Sequence, residues 1–251
     1  MRKNICGVLI DDLSKKEIMA NIKNRLKRGE KTVIYTPNPV MAENGIKDGD
    51  FLKILNSSTY NIPDGQGIIL ASRLLKTPIK ERISGIELGE EILKHAAKRK
   101  LRVFLLGGSE GIAREASRRL SEVYRGLTVS GTLNGFDELE NATKKINESR
   151  ADVVFVCLGS PKQERWIDKH KDDCSSSLFI GLGGSLDVWS GKVRRAPVFI
   201  RKIGLEWLWR MIISPSKIKN LPILIHFGAR ATARSTKNLV KLHIRNAKFH
   251  H

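Results

Sequence analysis

The sequence is poor in cysteine, in acid and in long apolar runs, and each shortage removes a class of protein. Its three cysteines, Cys6, Cys157 and Cys174, stand far apart in 251 residues, odd in number and without CxxC spacing. That argues against a disulfide framework and a zinc site and for a reducing compartment. The six histidines show no metal spacing either. No stretch approaches the roughly 18 uninterrupted apolar residues that a spanning helix needs. The opening Met1-Arg2-Lys3-Asn4 runs through residues 5–10 into Asp11-Asp12 too soon for a signal peptide. The expected setting is the cytoplasm, with any membrane contact peripheral. There is no Gly-Lys-Ser/Thr and no full GxGxxG, which weakens ATPase and dehydrogenase readings.

What the chain has in excess is positive charge, 45 Lys and Arg against 26 Asp and Glu for a net +19. Such a surplus asks for an anionic partner, whether nucleic acid, membrane surface or phosphorylated substrate. From Lys192 onward fourteen basic residues meet a single acid, Glu206, so thirteen of the nineteen charges belong to that stretch. This divides the chain into an expected catalytic core over residues 1–191 and a basic appendage over 192–251.

The appendage has more than charge. Residues 198–213 read as a helix in which the charges at 202, 206 and 210 fall four apart, while Phe199, Ile203, Leu205, Leu208, Met211 and Ile212 cover much of the remainder. Trp207 and Trp209 lie in the same segment, Ser214-Pro215 breaks it, and Lys217-Ile218-Lys219 leads into a further apolar patch. Tryptophan, aliphatics and bases almost without acids suit the headgroup region of an anionic bilayer. The expected contacts are Arg201, Lys202, Trp207, Trp209, Arg210, Lys217 and Lys219. The plainer alternative is a last amphipathic helix lying on the core. A nucleic-acid arm seldom carries so much aliphatic residue.

The core reads as α/β. Residues 5–10 form an expected strand, 14–28 a helix, 32–35 a buried strand and 41–55 a helix. The second half repeats an apolar strand that ends in glycines before a helix. The pattern ends at Gly107-Gly108, at Gly159-Ser160-Pro161-Lys162-Gln163-Glu164 and at Gly183-Gly184-Ser185-Leu186-Asp187. Near-continuous apolar strands alternating with helices predict a parallel, Rossmann-like, doubly wound sheet. Glycines at strand ends let a diphosphate approach backbone N–H groups.

Around these loops the candidate ligand residues collect. Tyr60-Asn61-Ile62-Pro63-Asp64-Gly65-Gln66-Gly67 places Asp64 on a tight turn that opens a helix, as a ligand-facing carboxylate or simply as that helix's N-cap. Thr36-Pro37-Asn38-Pro39 presents a hydroxyl and an amide at a strand end, or merely satisfies its own backbone. Arg82 is a phosphate clamp or a surface arginine. Asp187 binds a ribose or base, or caps a turn. Phe136, in Gly135-Phe136-Asp137, stacks on a base or packs its loop. Asp48-Gly49-Asp50 interrupts a helical pattern beside Lys47 and reads as a solvated turn rather than a metal-binding Asp-x-Asp.

In this order, from residue 5 to about 228, Thr36-Pro37-Asn38-Pro39, Pro63-Asp64-Gly65-Gln66-Gly67, Arg82-Ile83-Ser84-Gly85, Leu105-Leu106-Gly107-Gly108, the two later loops and Arg194-Arg195-Ala196-Pro197 together resemble the WecG/TagA/CpsF glycosyltransferases of bacterial cell-surface polymer synthesis. Gln66 stands where an apolar residue is commoner in that family and Glu87 where Asp is commoner, departures that bear on sugar choice in this reading. The resemblance implies an inverting, metal-independent transfer of N-acetylmannosamine from its UDP donor to the 4-hydroxyl of N-acetylglucosamine on undecaprenyl diphosphate. The product linkage is β-1,4, within teichoic acid or surface polysaccharide synthesis. It also implies Asp64 as general base, Thr36, Asn38 and Gln163 around donor sugar and acceptor, and Gly107, Gly108, Gly183, Gly184 and Asp187 on UDP. Arg82 and tail arginines, Arg195 among them, would offset the leaving diphosphate, with no cofactor and no metal. The expected location is the inner face of the cell membrane, with self-association of the core through any apolar face its tail leaves bare. The alternatives are another UDP-sugar, N-acetylmannosaminuronic acid or glucose, and a non-catalytic nucleotide-binding module with a nucleic-acid tail.

Overall fold

Short β-branched and aliphatic runs separated by helical periods fold as two layers of helices around one sheet. The computed structural model describes residues 1–136, 139–213 and 215–247, with the side chains of 210, 215–217 and 237–247 outside the description. In chain order the elements are β1 (Arg2–Ile5), β2 (Val8–Asp11), α1 (Lys15–Lys27), β3 (Thr32–Tyr35), α2 (Pro39–Lys47), α3 (Gly49–Ser57), β4 (Tyr60–Asn61), α4 (Gln66–Leu74), α5 (Gly85–Arg99), β5 (Arg102–Gly107) and α6 (Ile112–Val123). There follow β6 (Thr128–Leu133), α7 (Ala142–Ser149), β7 (Val153–Cys157), α8 (Lys162–His170), β8 (Leu178–Gly181), α9 (Ser185–Trp189), α10 (Val198–Lys202), α11 (Glu206–Ile213) and α12 (Leu221–Ala247).

The six-stranded sheet has the order β4-β3-β8-β7-β5-β6 and every pairing in it is parallel. The central strands β3, β5, β7 and β8 are buried on both faces, which is why they read as continuous apolar runs. One face packs Ile18, Ile22, Ile92, Leu120 and Trp189 from α1, α5, α6 and α9. The other packs Met41, Phe51, Ile68, Ile146 and Trp166 from α2, α3, α4, α7 and α8. The chain leaves β3 toward one edge and β5 toward the other, so strand order reverses within the sheet, the place where open α/β sheets hold ligands.

Three local expectations change. Residues 5–10 are not one strand but the two arms of a hairpin, turned at Cys6-Gly7 with φ of 53° and 102°. Gly7 supplies the conformation that a strand interior would not tolerate. The hairpin braces the site, since Arg2 bonds the carbonyls of Asn56, Ser58 and Thr59 and Asp11 accepts from the Asn61 N–H at 2.7 Å. The single helix expected over 41–55 is two helices, because Asp48 ends α2 and its Oδ1 accepts from Phe51 N at 2.9 Å to cap α3. Its carboxylate also pairs with Arg165, so Asp48 is a structural cap, as the solvated-turn reading had it.

The third change is in the basic appendage. The helix expected over 198–213 is broken at Gly204, whose φ is +80°, into α10 and α11. Beyond it α12 lies along α2 and α4, burying Phe227 and Ala231 in the same apolar cluster as Ile68 and Ile69. Arg230 reaches Glu43, 1% exposed on α2, at 2.9 Å, and the Ser235 hydroxyl donates to the Leu74 carbonyl at 2.6 Å. Among the described residues no helix is long and apolar enough to cross a membrane.

Candidate active site

The carboxyl ends of β3 and β8 carry the first group of candidate residues. Thr36 follows β3, is buried, and its hydroxyl donates to the Gly181 carbonyl across the sheet at 3.2 Å. Asn38 is the N-cap of α2, its Oδ1 accepting from Val40 N and Met41 N at 3.0 and 3.1 Å. Its side-chain oxygen thus serves the backbone, and its amide NH2 is the part left for a ligand. The Asp64 turn is tied to the same place, because Asp64 N donates to the Pro37 carbonyl at 3.2 Å. Helix α4 takes Gly65 as its N-cap, so Asp64 stands one position before the cap.

Gln163 opens α8 and is buried. Its Oε1 accepts from Gly183 N at 2.8 Å, and its Nε2 donates to Glu164 Oε1 at 2.6 Å. The amide lies directly over the α-carbon of Gly181, 2.8 Å from where a β-carbon would stand. Thr36, Gly181, Gln163 and Gly183 therefore form one contiguous patch, made of two hydrogen-bonded pairs in contact at Gly181. Gly184 and Asp187 continue it, with Asp187 half-buried at the start of α9.

A second group sits over β5, β6 and β7. Gly107 has φ of +129°, and a β-carbon there would strike the Cys157 carbonyl oxygen at 2.3 Å, so only glycine lets the strands meet this closely. Gly108 N donates to that carbonyl, and Gly108 O accepts from Gly135 N at 3.0 Å. Burial beneath these loops pushes the Cys157 thiol up to about 12, which makes it core rather than nucleophile. Phe136 is 72% exposed, and Lys162 Nζ stands 5.5 Å over its ring while donating to the Gly135 carbonyl. The sequence reading did not single out Lys162, and only its place in the loop after β7 could have signalled it. A recess of about 190 Å³ opens beside these glycines, between residues 110–114 and 132–134. Asp137, which follows Phe136, lies outside the described residues.

The tail contacts residues that flank the first group. Arg82, after the Pro63 carbonyl accepts from Ile83 N, donates from a guanidinium nitrogen to the Arg201 carbonyl at 3.3 Å. Arg201 turns inward to Glu87 at 3.1 Å and to the Ala196 carbonyl at 3.0 Å, rather than outward as a bilayer contact would. Arg195, with its side chain 15% exposed, is ringed by Glu87 at 2.8 Å, Glu90 at 3.6 Å and Glu206 at 4.0 Å. Gln66 meets Gly204 in the turn between α10 and α11. The two residues singled out for sugar choice, Gln66 and Glu87, thus both touch the tail.

Among the tail contacts expected at a bilayer, Trp207, Lys202 and Lys219 are exposed, and Trp209 is half-buried with its indole N–H toward the Arg194 carbonyl at 3.5 Å. The side chains of Arg210 and Lys217 lie outside the described residues. Phe199, Ile203, Leu208, Ile212, Ile218 and Ile225 are exposed as well. No group of three His, Cys, Asp or Glu that could hold a metal ion occurs among the described residues.

Sheet order and loop geometry define a Rossmann-like α/β protein with glycine loops at the carboxyl ends of a parallel sheet, where open sheets of this kind hold ligands. The chain belongs to the glycosyl transferase WecG/TagA/CpsF family, whose sequence model matches residues 3–239, and it is a hexosyltransferase. It is 34% identical over 241 residues, 93% of this chain and 94% of the relative, to an N-acetylglucosaminyldiphosphoundecaprenol N-acetyl-β-D-mannosaminyltransferase of Staphylococcus aureus. A Bacillus subtilis protein of the same name is 36% identical over 190 residues, 75% of this chain and 74% of the relative.

Proposed function

We propose that this chain moves N-acetylmannosamine from a UDP donor to N-acetylglucosamine on undecaprenyl diphosphate, the acceptor and sugar named for its relatives. The observation that carries the reading is the setting of Asp64, a carboxylate on a turn whose backbone is bonded to the Thr36-Pro37-Asn38 loop, one position before the N-cap of α4. In the reaction the acceptor 4-hydroxyl attacks the anomeric carbon, Asp64 takes its proton, and the bond from that carbon to the UDP oxygen breaks. Attack opposite the leaving group inverts the centre, so an α-linked donor gives a β-1,4 product.

No metal enters the scheme, and the charge that develops on the departing diphosphate falls to Arg82 and to arginines of the tail. Arg195 and Arg201 face Glu87, Glu90 and Glu206, so reaching a diphosphate requires them to exchange carboxylates for phosphate oxygens. Thr36, Asn38 and Gln163 would orient donor sugar and acceptor. Gly107, Gly108, Gly183, Gly184 and Asp187 would hold UDP, with Phe136 beneath the base.

An undecaprenyl-linked acceptor supports a location at the inner face of the cell membrane. The exposed apolar side chains of the tail, flanked by Lys202 and Lys219, suit a bilayer surface. The deciding experiment is UDP release by purified protein with a short-chain, diphosphate-linked N-acetylglucosamine acceptor, three UDP-sugars, and EDTA present or absent. Acceptor-dependent release with UDP-N-acetylmannosamine that survives EDTA is expected. Release that needs a divalent ion overturns the metal-free scheme, and release with another donor alone overturns the sugar assignment.

A further inference from the structure

Glu164 has no part in the transfer chemistry above, yet its carboxyl is 0% exposed beneath the strand ends that form the site. Its Oε1 accepts from Gln163 Nε2 at 2.6 Å, its Oε2 has no hydrogen bond of good geometry among the described residues, and its backbone carbonyl accepts from the Tyr35 hydroxyl at 3.2 Å. Burial raises the carboxyl, opposed in part by donors from Gln163 and Ser160. Oε1 is the acceptor that the Gln163 amide N–H uses.

The consequence falls on Gln163. A primary amide can be set with its oxygen and nitrogen exchanged, and the two settings present different groups to a ligand. Here the Gly183 N–H requires the oxygen on one side, and the Glu164 oxygen requires the nitrogen on the other. Exchange would put N–H against N–H at Gly183 and oxygen against oxygen at Glu164. The second hydrogen of Nε2 makes no hydrogen bond among the described residues, and the nitrogen lies over Gly181 beside Thr36.

We propose that Glu164 is a positioning residue that holds the Gln163 amide in one setting, so that its free N–H is presented to the ligand and the Gly183 loop is fixed behind it. What that N–H then contacts rests on the transferase reading, but the positioning does not. An apolar side chain at 164 would fill the same space and leave Gln163 anchored only through Gly183.

The test compares Glu164→Gln, which keeps a neutral acceptor, with Glu164→Leu, and with Glu164→Met should the leucine variant not fold. Hydrogen exchange of the Gly183 amide, followed by NMR on folded protein, reads the anchor without any ligand, and steady-state kinetics read its effect on turnover. Glu164→Gln is expected to keep the slow Gly183 exchange and kcat within about threefold. The apolar variant should speed that exchange and lower kcat by roughly 100-fold, with KM for the UDP-sugar within about threefold, the pattern of a misplaced group. Unchanged exchange in the apolar variant, or equal impairment of both variants, overturns the inference. If the unmodified protein transfers no sugar, the transferase reading falls, while the exchange comparison still decides the role of Glu164.

Discussion

Gln66 lies against the α-carbon of Gly204, so that a β-carbon there would stand 2.3 Å from both its Cγ and its Nε2. One partner follows the Asp64 turn by two residues and the other sits in the break between α10 and α11, at φ +80°. The contact therefore joins the candidate base to the tail. Gly204→Ala both collides with Gln66 and forces a side chain into left-handed backbone, weakening the docking by on the order of 1–2 kcal/mol. Limited proteolysis between α10 and α11 should accelerate about tenfold, the factor 1.4 kcal/mol represents. Unchanged cleavage would show that the contact does not hold the tail.

Asp64→Asn keeps the shape of the turn and removes the proton acceptor. Turnover should fall by about 10²–10⁴-fold, the range of general base catalysis. UDP affinity, read by calorimetry, should stay within roughly threefold because the phosphate loops lie elsewhere. Full turnover would remove Asp64 from the mechanism.

Arg230→Met leaves Glu43 buried without its cation. Because the Arg230 side chain is 41% exposed, the expected loss is about 1–2 kcal/mol, less than the 3–5 kcal/mol of a fully buried pair. Denaturant unfolding measures it. Adding Glu43→Gln should recover part of the loss, since the uncompensated charge is then gone.

Phe199→Asp with Ile212→Asp puts charge on two exposed apolar side chains of α10 and α11. Co-sedimentation with anionic vesicles should weaken at least about tenfold, since each apolar side chain contributes about 1.5–3 kcal/mol on burial. Transfer to a short-chain acceptor in detergent-free buffer should persist. Undiminished vesicle binding would place the membrane contact on another surface.

Glu164 also makes stability depend on pH, with a definite sign. Its carboxyl is raised in the folded protein, so above the unfolded value near 4.5 the folded state holds a proton that the unfolded chain has lost. Stability should fall as pH rises from about 4.5 toward the folded value. Tyr35 faces the same group from β3, and burial raises its hydroxyl too, so it stays neutral across this range. Glu164→Gln should flatten that slope in thermal unfolding between pH 4.5 and 8, and an unchanged slope would show that another group carries it.

Much of the fold was legible because the buried strands are nearly uniform apolar runs. Residues 102–106, 153–158 and 178–182 could be read as strands, and the glycines after them as sheet-end loops, from composition alone. The breaks were harder. Gly7 and Gly204 each interrupt a pattern that is otherwise continuous, and periodicity does not register a single residue with special backbone geometry. The site was legible as a set of loops, since Thr36, Asp64 and Gln163 stand at recognisable strand ends. The pairings of Arg195 with Glu87 and of Arg230 with Glu43 join residues more than a hundred positions apart, and no local signal carries such a match. Glu164 was hidden for another reason, because a buried acid looks like any surface acid on a helix until its neighbours are known.

The position of α12 has a consequence for synthesis. It covers α2 and α4, which leave the ribosome long before Leu221 does. During translation, at about 5–20 residues per second, the apolar face that includes Ile68 and Ile69 waits roughly 7–30 seconds for the helix that covers it. A transcript broken before the codons for α12 would yield a sheet with every strand present and one flank unsealed, a natural substrate for chaperones and proteases.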